Sequence, residues 1–197
     1  MEKAGATYIH LDVMDGKFVP ATTFDHTLVE KISHIHGMVN DVHLMVENPA
    51  PACIDFARAG ADIITVHYEA FPNVGEVHDC IALIHSLGKK AGLSIKPATK
   101  MEVLEGFWKE IDLCLIMSVE PGKGGQAYLD GSNEKLEYCK KLNEKQKGHH
   151  VLIEVDGGIN ASTAPIAVSH GAELLVAGSY LYGHKDFAER LEGLLKL

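Results

Sequence analysis

The chain's 197 residues and 46% hydrophobic content suit one globular domain with a sizeable core, and no stretch approaches the roughly eighteen apolar residues of a membrane span. Acidic side chains number 27 against 18 basic ones, a net charge of -9, and the lysines are scattered rather than gathered into a stripe, which argues against nucleic acid or a membrane as partner. Cys53, Cys80, Cys114 and Cys139 form no Cys-x-x-Cys pair and no signal peptide accompanies them, so neither a disulfide framework nor a zinc knuckle is expected, and a reducing, cytoplasmic setting is.

In chain order, residues 1–4 read as the tail of a helix, and strand-length apolar runs follow at 8–13, 41–46, 63–66, 90–95, 113–119, 152–155 and 174–177. Their richness in Val, Ile and Leu is that of strands buried on both faces. Amphipathic stretches at 27–36, 51–59, 74–87, 101–110, 133–146 and 162–170 alternate with them as helices. Gly5, Gly60, Gly88 and Gly171 stand where a left-handed cap would turn a helix back toward a parallel strand. Such repetition allows an open doubly wound sheet or a closed barrel. Barrels run from roughly 200 residues upward, and with seven strands legible the expectation is a single-domain TIM (β/α)8 barrel over 1–197, N-terminally truncated and lacking its first strand.

Position selects among the twelve histidines. His10 and Asp12 are two apart on a strand and point to one face. His43 lies amid apolar neighbours on a second strand and Asp156 closes a third, each polar residue read as standing at a strand's C-terminal end, where barrels place their chemistry. Two imidazoles and two carboxylates suit one borderline divalent ion such as zinc, iron(II), cobalt or manganese. His67, followed by Glu69, reads as either a supporting residue behind the ligands or a structural histidine, whereas His149 and His150 read as a solvated loop.

Three successive loops are glycine-rich: Pro121-Gly122-Lys123-Gly124-Gly125-Gln126, Asp156-Gly157-Gly158 and Ala177-Gly178-Ser179. Glycines let the backbone approach an anion and aim N–H groups at it, helix N-termini add positive potential, and the last two βα loops are the customary phosphate site of barrels.

The segments His10-Leu11-Asp12-Val13-Met14-Asp15-Gly16-Lys17-Phe18-Val19-Pro20, Asp41-Val42-His43-Leu44-Met45, Met117-Ser118-Val119-Glu120-Pro121-Gly122, Glu154-Val155-Asp156-Gly157-Gly158 and Val176-Ala177-Gly178-Ser179 together resemble the ribulose-phosphate 3-epimerase family. The resemblance implies that His10, Asp12, His43 and Asp156 hold the metal, and that Asp12 and Asp156 double as the acid/base pair. It further implies substrate contacts from His10, His43, Gly122, Lys123, Gly124, Gly125, Asp156, Gly157, Gly158, Gly178 and Ser179, with Met14, Met45 and Met117 lining the reacting centre. The implied reaction is metal-dependent interconversion of D-ribulose 5-phosphate and D-xylulose 5-phosphate through an enediolate, with a pentulose phosphate as small-molecule partner. Departures from the family pattern are the absent opening strand with its serine, Ala21 in place of the usual Asn, and Lys123 in place of an aromatic. Unpaired barrel edges predict a homo-oligomer or an aggregation-prone chain.

Three alternatives remain at this point: an allulose 6-phosphate epimerase, a metal-dependent aldolase or decarboxylase, and an inactive sugar-phosphate-binding remnant. Carbon–carbon chemistry would call for a lysine and an acid on the strands, which His10, Asp12, His43 and Asp156 do not supply.

Overall fold

The computed structural model describes residues 1–35 and 37–197. A short 3-10 turn, Glu2–Ala4, leads into β1 (Tyr8–Met14), and then come α1 (His26–Ile32), β2 (Val39–Met45), α2 (Pro49–Ala59), β3 (Ile63–His67), α3 (Val74–Ser86) and β4 (Lys90–Ile95). The second half runs β5 (Leu113–Met117), α4 (Gly131–Lys145), β6 (Leu152–Asp156), α5 (Ala164–Ser169), β7 (Leu174–Val176) and α6 (Phe187–Leu195). Among the described residues the seven strands form one parallel sheet in sequential order, β1 to β7, that curls into a nearly closed barrel. This is the expected architecture, and every expected strand is present. Position 36, the last residue of the helix expected over 27–36, lies outside the described residues; α1 itself ends at Ile32.

Burial follows the sheet's path. Every residue of β3 and β5 is buried, because helices cover one side and the barrel interior the other, whereas β7 is only half-buried throughout. No hydrogen bonds join β1 to β7 among the described residues. Between them opens an apolar cavity of about 600 Å³, lined by Tyr8, Leu174, Leu175, Leu191, Leu194 and Leu195 among others.

Three differences from expectation have local causes. The helix expected over 101–110 is a 3-10 segment, Met101–Gly106, that stops at a glycine and hands Phe107 and Trp108 to the core. α6 was not anticipated, although Phe187, Leu191, Leu194 and Leu195 carry helical spacing and Leu191 is buried against the rest. The cysteines, remote in sequence, meet in two buried pairs of free thiols, Cys53 with Cys80 and Cys114 with Cys139, each with sulfurs 3.8 Å apart. No described helix is long and apolar enough to cross a membrane.

Candidate active site

Strand alternation and register assemble the site in layers. The β1–β2 ladder sets His10 opposite Asp41, Asp12 opposite His43 and Met14 opposite Met45, and the β5–β6 ladder sets Met117 opposite Asp156. Successive even positions of β1 therefore climb one inner face of the barrel. His10 is the third of seven residues in β1, so it lies mid-strand rather than at the strand's end as its sequence context suggests. The barrel's curvature brings one side-chain atom each of His10, Asp12, His43 and Asp156 within 4.8 Å of one another. His43 Nδ1 is 2.9 Å from Asp12 Oδ1, and His10 Nε2 is 3.3 Å from the same oxygen.

The two carboxylates respond oppositely to this setting. Burial works to raise Asp12, but hydrogen bonds with His10 and His43 and the charge of both rings outweigh it and hold Asp12 far below the usual carboxylate range. Burial pushes Asp156 up to about 6, and the neighbouring Asp12 charge adds to the rise. One group is thus kept ionised and its neighbour is poised to carry a proton, the division of labour an acid/base pair requires.

Behind these four stands a shell that sequence reasoning missed or left undecided. His10 Nδ1 lies 2.6 Å from Asp41 Oδ2 and 3.4 Å from Glu154 Oε1. Burial alone would lower His10; the charges of Asp41 and Glu154 overcome it and raise the imidazole well above its ordinary value. Both Glu154 oxygens are buried without a well-formed hydrogen bond, and burial together with the Asp41 charge pushes this acid well up. The signal for Asp41 and Glu154 was available: each is a charged residue on a strand, two before His43 or Asp156, and so on the same face. Behind His43 the undecided His67 takes a supporting place, its Nε2 2.8 Å from His43 Nε2. Ser118 fixes the end of β6, its single hydroxyl proton shared between the carbonyls of Gly157 at 2.6 Å and Asp156 at 2.8 Å.

Above these four residues opens a cavity of about 120 Å³. Asp12, Asp156, Met14, Met45 and Met117 line its inner end, and Gly122, Lys123, Gly124, Gly125, Gly157, Gly158, Gly178 and Ser179 its outer end. Of the expected substrate residues only His10 and His43 fall outside this lining; they sit beneath it, His43 fully buried.

The glycines divide into two kinds. At Gly158, with φ +62°, an added Cβ would stand 2.4 Å from the Tyr128 backbone nitrogen, so this glycine serves a tight crossing of two loops. At Gly124, Gly125 and Gly178 a Cβ would meet nothing within 4 Å, which leaves their backbone bare toward open space. Gln126 braces the first of these loops, its amide donating to the carbonyls of Glu120 and Lys123, both at 2.7 Å. The loop after β7 does not lead straight into a helix: Leu181 and Tyr182 donate to the Gly178 carbonyl in a single turn, and α6 begins only at Phe187. Bare backbone rather than a helix terminus is what this loop offers an anion.

The four inner residues fit a borderline divalent ion. They offer two imidazoles and two carboxylates, and the buried His10 Nε2 has within the cluster only a long contact of 3.3 Å with Asp12 Oδ1.

Comparison with known proteins bears on the same residues. A profile described as the ribulose-phosphate 3 epimerase family matches residues 1–182. Ribulose-phosphate 3-epimerase of Bacillus subtilis is 44% identical over 186 residues, covering 94% of this chain and 84% of its own. The chloroplastic ribulose-5-phosphate-3-epimerase of Arabidopsis thaliana is 40% identical over 194 residues, 98% of this chain and 68% of its own. Among solved structures, KGPDC from Streptococcus mutans superposes with a TM-score of 0.71 at 11% identity, covering 100% of this chain and 91% of that one. A 3-hexulose-6-phosphate synthase superposes with a TM-score of 0.68 at 16% identity, over 94% and 97%. Likenesses that weak in sequence speak for the barrel alone. The profile and the sequence relatives speak for more: the chain is an epimerase that belongs to the ribulose-phosphate 3-epimerase family.

Proposed function

We propose that the chain interconverts D-ribulose 5-phosphate and D-xylulose 5-phosphate at C3, with one divalent ion held by His10, Asp12, His43 and Asp156. The observation that carries this reading is the opposed environment of Asp12 and Asp156, two carboxylates facing one cavity from β1 and β6. Epimerisation takes a proton from one face of the carbon beside the ketone and returns one to the other face. Asp12, held ionised, accepts the C3 proton, and the electron pair passes to the ketone as an enediolate. Asp156, carrying a proton, delivers it to the opposite face of C3. The carboxylates then exchange roles for the reverse direction. When bound, the ion supplies positive charge beside the oxygens on which negative charge develops. Zinc, iron(II), cobalt or manganese suits the donor set.

Met14, Met45 and Met117 give the reacting carbon a polarizable apolar surround that keeps water from competing as a proton source. The bare backbone at Gly124, Gly125 and Gly178, with Ser179 and the exposed Lys123, receives the phosphate. A pentulose phosphate in the cytoplasm is the proposed substrate and setting, and a homo-oligomer the proposed assembly. Turnover of ribulose 5-phosphate and of allulose 6-phosphate, each in a coupled assay on metal-loaded chain, tests the reading. Faster turnover of the hexulose phosphate, or none of either sugar, would overturn it.

A further inference from the structure

Behind His43 runs a hydrogen-bonded chain that leaves the site. His43 Nε2 lies 2.8 Å from His67 Nε2, and His67 Nδ1 lies 3.2 Å from Glu69 Oε2. The other oxygen of Glu69 is occupied: it accepts the Lys96 backbone N–H at 2.8 Å and the Thr99 hydroxyl. His43 and His67 are both fully buried, and Phe18 packs against His67 with ring centroids 4.9 Å apart and planes tilted by 44°.

The chain has a polarity that the far end dictates. A carboxylate can only accept, so His67 must present Nδ1–H to Glu69 and keep Nε2 bare. Bare Nε2 in turn accepts from His43, which must carry a proton on Nε2; its Nδ1, which donates to Asp12 Oδ1 at 2.9 Å in the ion-free chain, can then give up that proton and offer a lone pair when an ion takes the site. We propose that Glu69 is a positioning residue which, acting through His67, holds His43 in the tautomer whose Nδ1 is free to bind the ion. The proposal rests on the metal-dependent reading above but is read out independently of turnover.

Glu69→Gln is the informative variant because it keeps shape and reverses polarity. The Lys96 N–H still demands an oxygen, so the amide NH2 faces His67 Nδ1, which must then accept. The His67 proton moves to Nε2, and His43 is driven to carry its proton on Nδ1, where the ion would bind. The test measures nitrogen-15 NMR tautomers of His67 and His43 in the full-length chain, together with Zn²⁺ affinity by competition with a chelating dye. In the wild type we expect a protonated Nδ1 and bare Nε2 at His67. In Glu69→Gln we expect the reverse, with Zn²⁺ bound about 10- to 100-fold more weakly. Glu69→Asp retains an acceptor and should recover part of that loss. A wild-type His67 protonated on Nε2 would overturn the proposal, even if Glu69→Gln failed to fold. So would unchanged Zn²⁺ affinity in Glu69→Gln, or equal losses in the Asp and Gln variants, which would mark a packing effect. A chain that shows the expected tautomers and affinities yet does not epimerise ribulose 5-phosphate would sink the functional reading and leave this one standing.

Discussion

Asp12 and Asp156 sit with carboxylate oxygens in one four-residue cluster, yet their surroundings shift their proton affinities in opposite directions, Asp12 far down and Asp156 up to about 6. The imidazoles explain the asymmetry: His10 and His43 both contact Asp12, whereas Asp156 meets chiefly burial and its neighbour's charge.

Replacing either carboxylate should therefore stop the reaction, because each face of C3 has one proton carrier. Asp12→Asn and Asp156→Asn are each expected to lower kcat by about 10²–10⁴ in the coupled assay. Either variant retaining more than roughly a tenth of wild-type turnover would defeat the assignment.

The metal-free chain should lose stability as pH rises through Asp156's titration. Its folded-state value of about 6 exceeds the reference of 3.8, so its contribution is fully present below about pH 4 and is lost as pH climbs through about 6. Asp12 has the opposite sign: its folded value is depressed, so its stabilisation is present above about pH 4 and lost on further acidification. An ion relieves the cost of ionising Asp156, and ligand protonation weakens binding in acid, so Co²⁺ should raise the melting temperature more at pH 7 than at pH 5. Each kcal/mol of difference corresponds to roughly 2–4 °C in a chain of this size. Equal shifts at the two pH values would show that Asp156 is not a ligand with a raised pKa.

Exhaustive chelation should abolish turnover, and Zn²⁺, Co²⁺, Mn²⁺ or Fe²⁺ should restore it where Mg²⁺ does not, since magnesium prefers oxygen ligands and retains its waters. Full activity with metal absent by elemental analysis would remove the cluster's proposed role.

At the outer end, Gly178→Ala places a methyl where the protein leaves more than 4 Å of open space, so the fold should tolerate it. The expected result is a Michaelis constant for ribulose 5-phosphate raised about tenfold, with a smaller change in kcat, the mark of a remote ground-state contact. Lys123→Ala should act in the same direction. A loss confined to kcat, or none, would argue against phosphate at this end.

The edges of β1 and β7, which no strand pairs among the described residues, predict self-association, because an apolar cavity opens between them. Sedimentation of the 197-residue chain should reveal oligomers or aggregates. Joining a strand-and-helix segment of roughly 20 residues ahead of Met1 should yield a narrower size distribution and higher turnover. A monodisperse monomer whose turnover the added segment does not raise would show that the seam needs no eighth strand.

Much of this molecule is written along the chain. The alternation of apolar runs with amphipathic stretches prescribes parallel strands and covering helices, and the period of two in β1 places His10, Asp12 and Met14 on one face whatever the rest of the fold does. The candidate ligands and the glycine loops were legible for the same reason, being local patterns of residue type. What lies opposite a residue is not local. That Asp41 and Glu154 close on His10, or that His67 and Glu69 stand behind His43, follows from strand register and barrel curvature, which bring side chains far apart in sequence within hydrogen-bonding distance. The opposed pulls on Asp12 and Asp156 likewise depend on burial and on neighbouring charge, quantities that exist only once the barrel has folded. Even the glycines required the tertiary structure to sort them, because a turn glycine and one that borders open space read alike until the atoms around each are known.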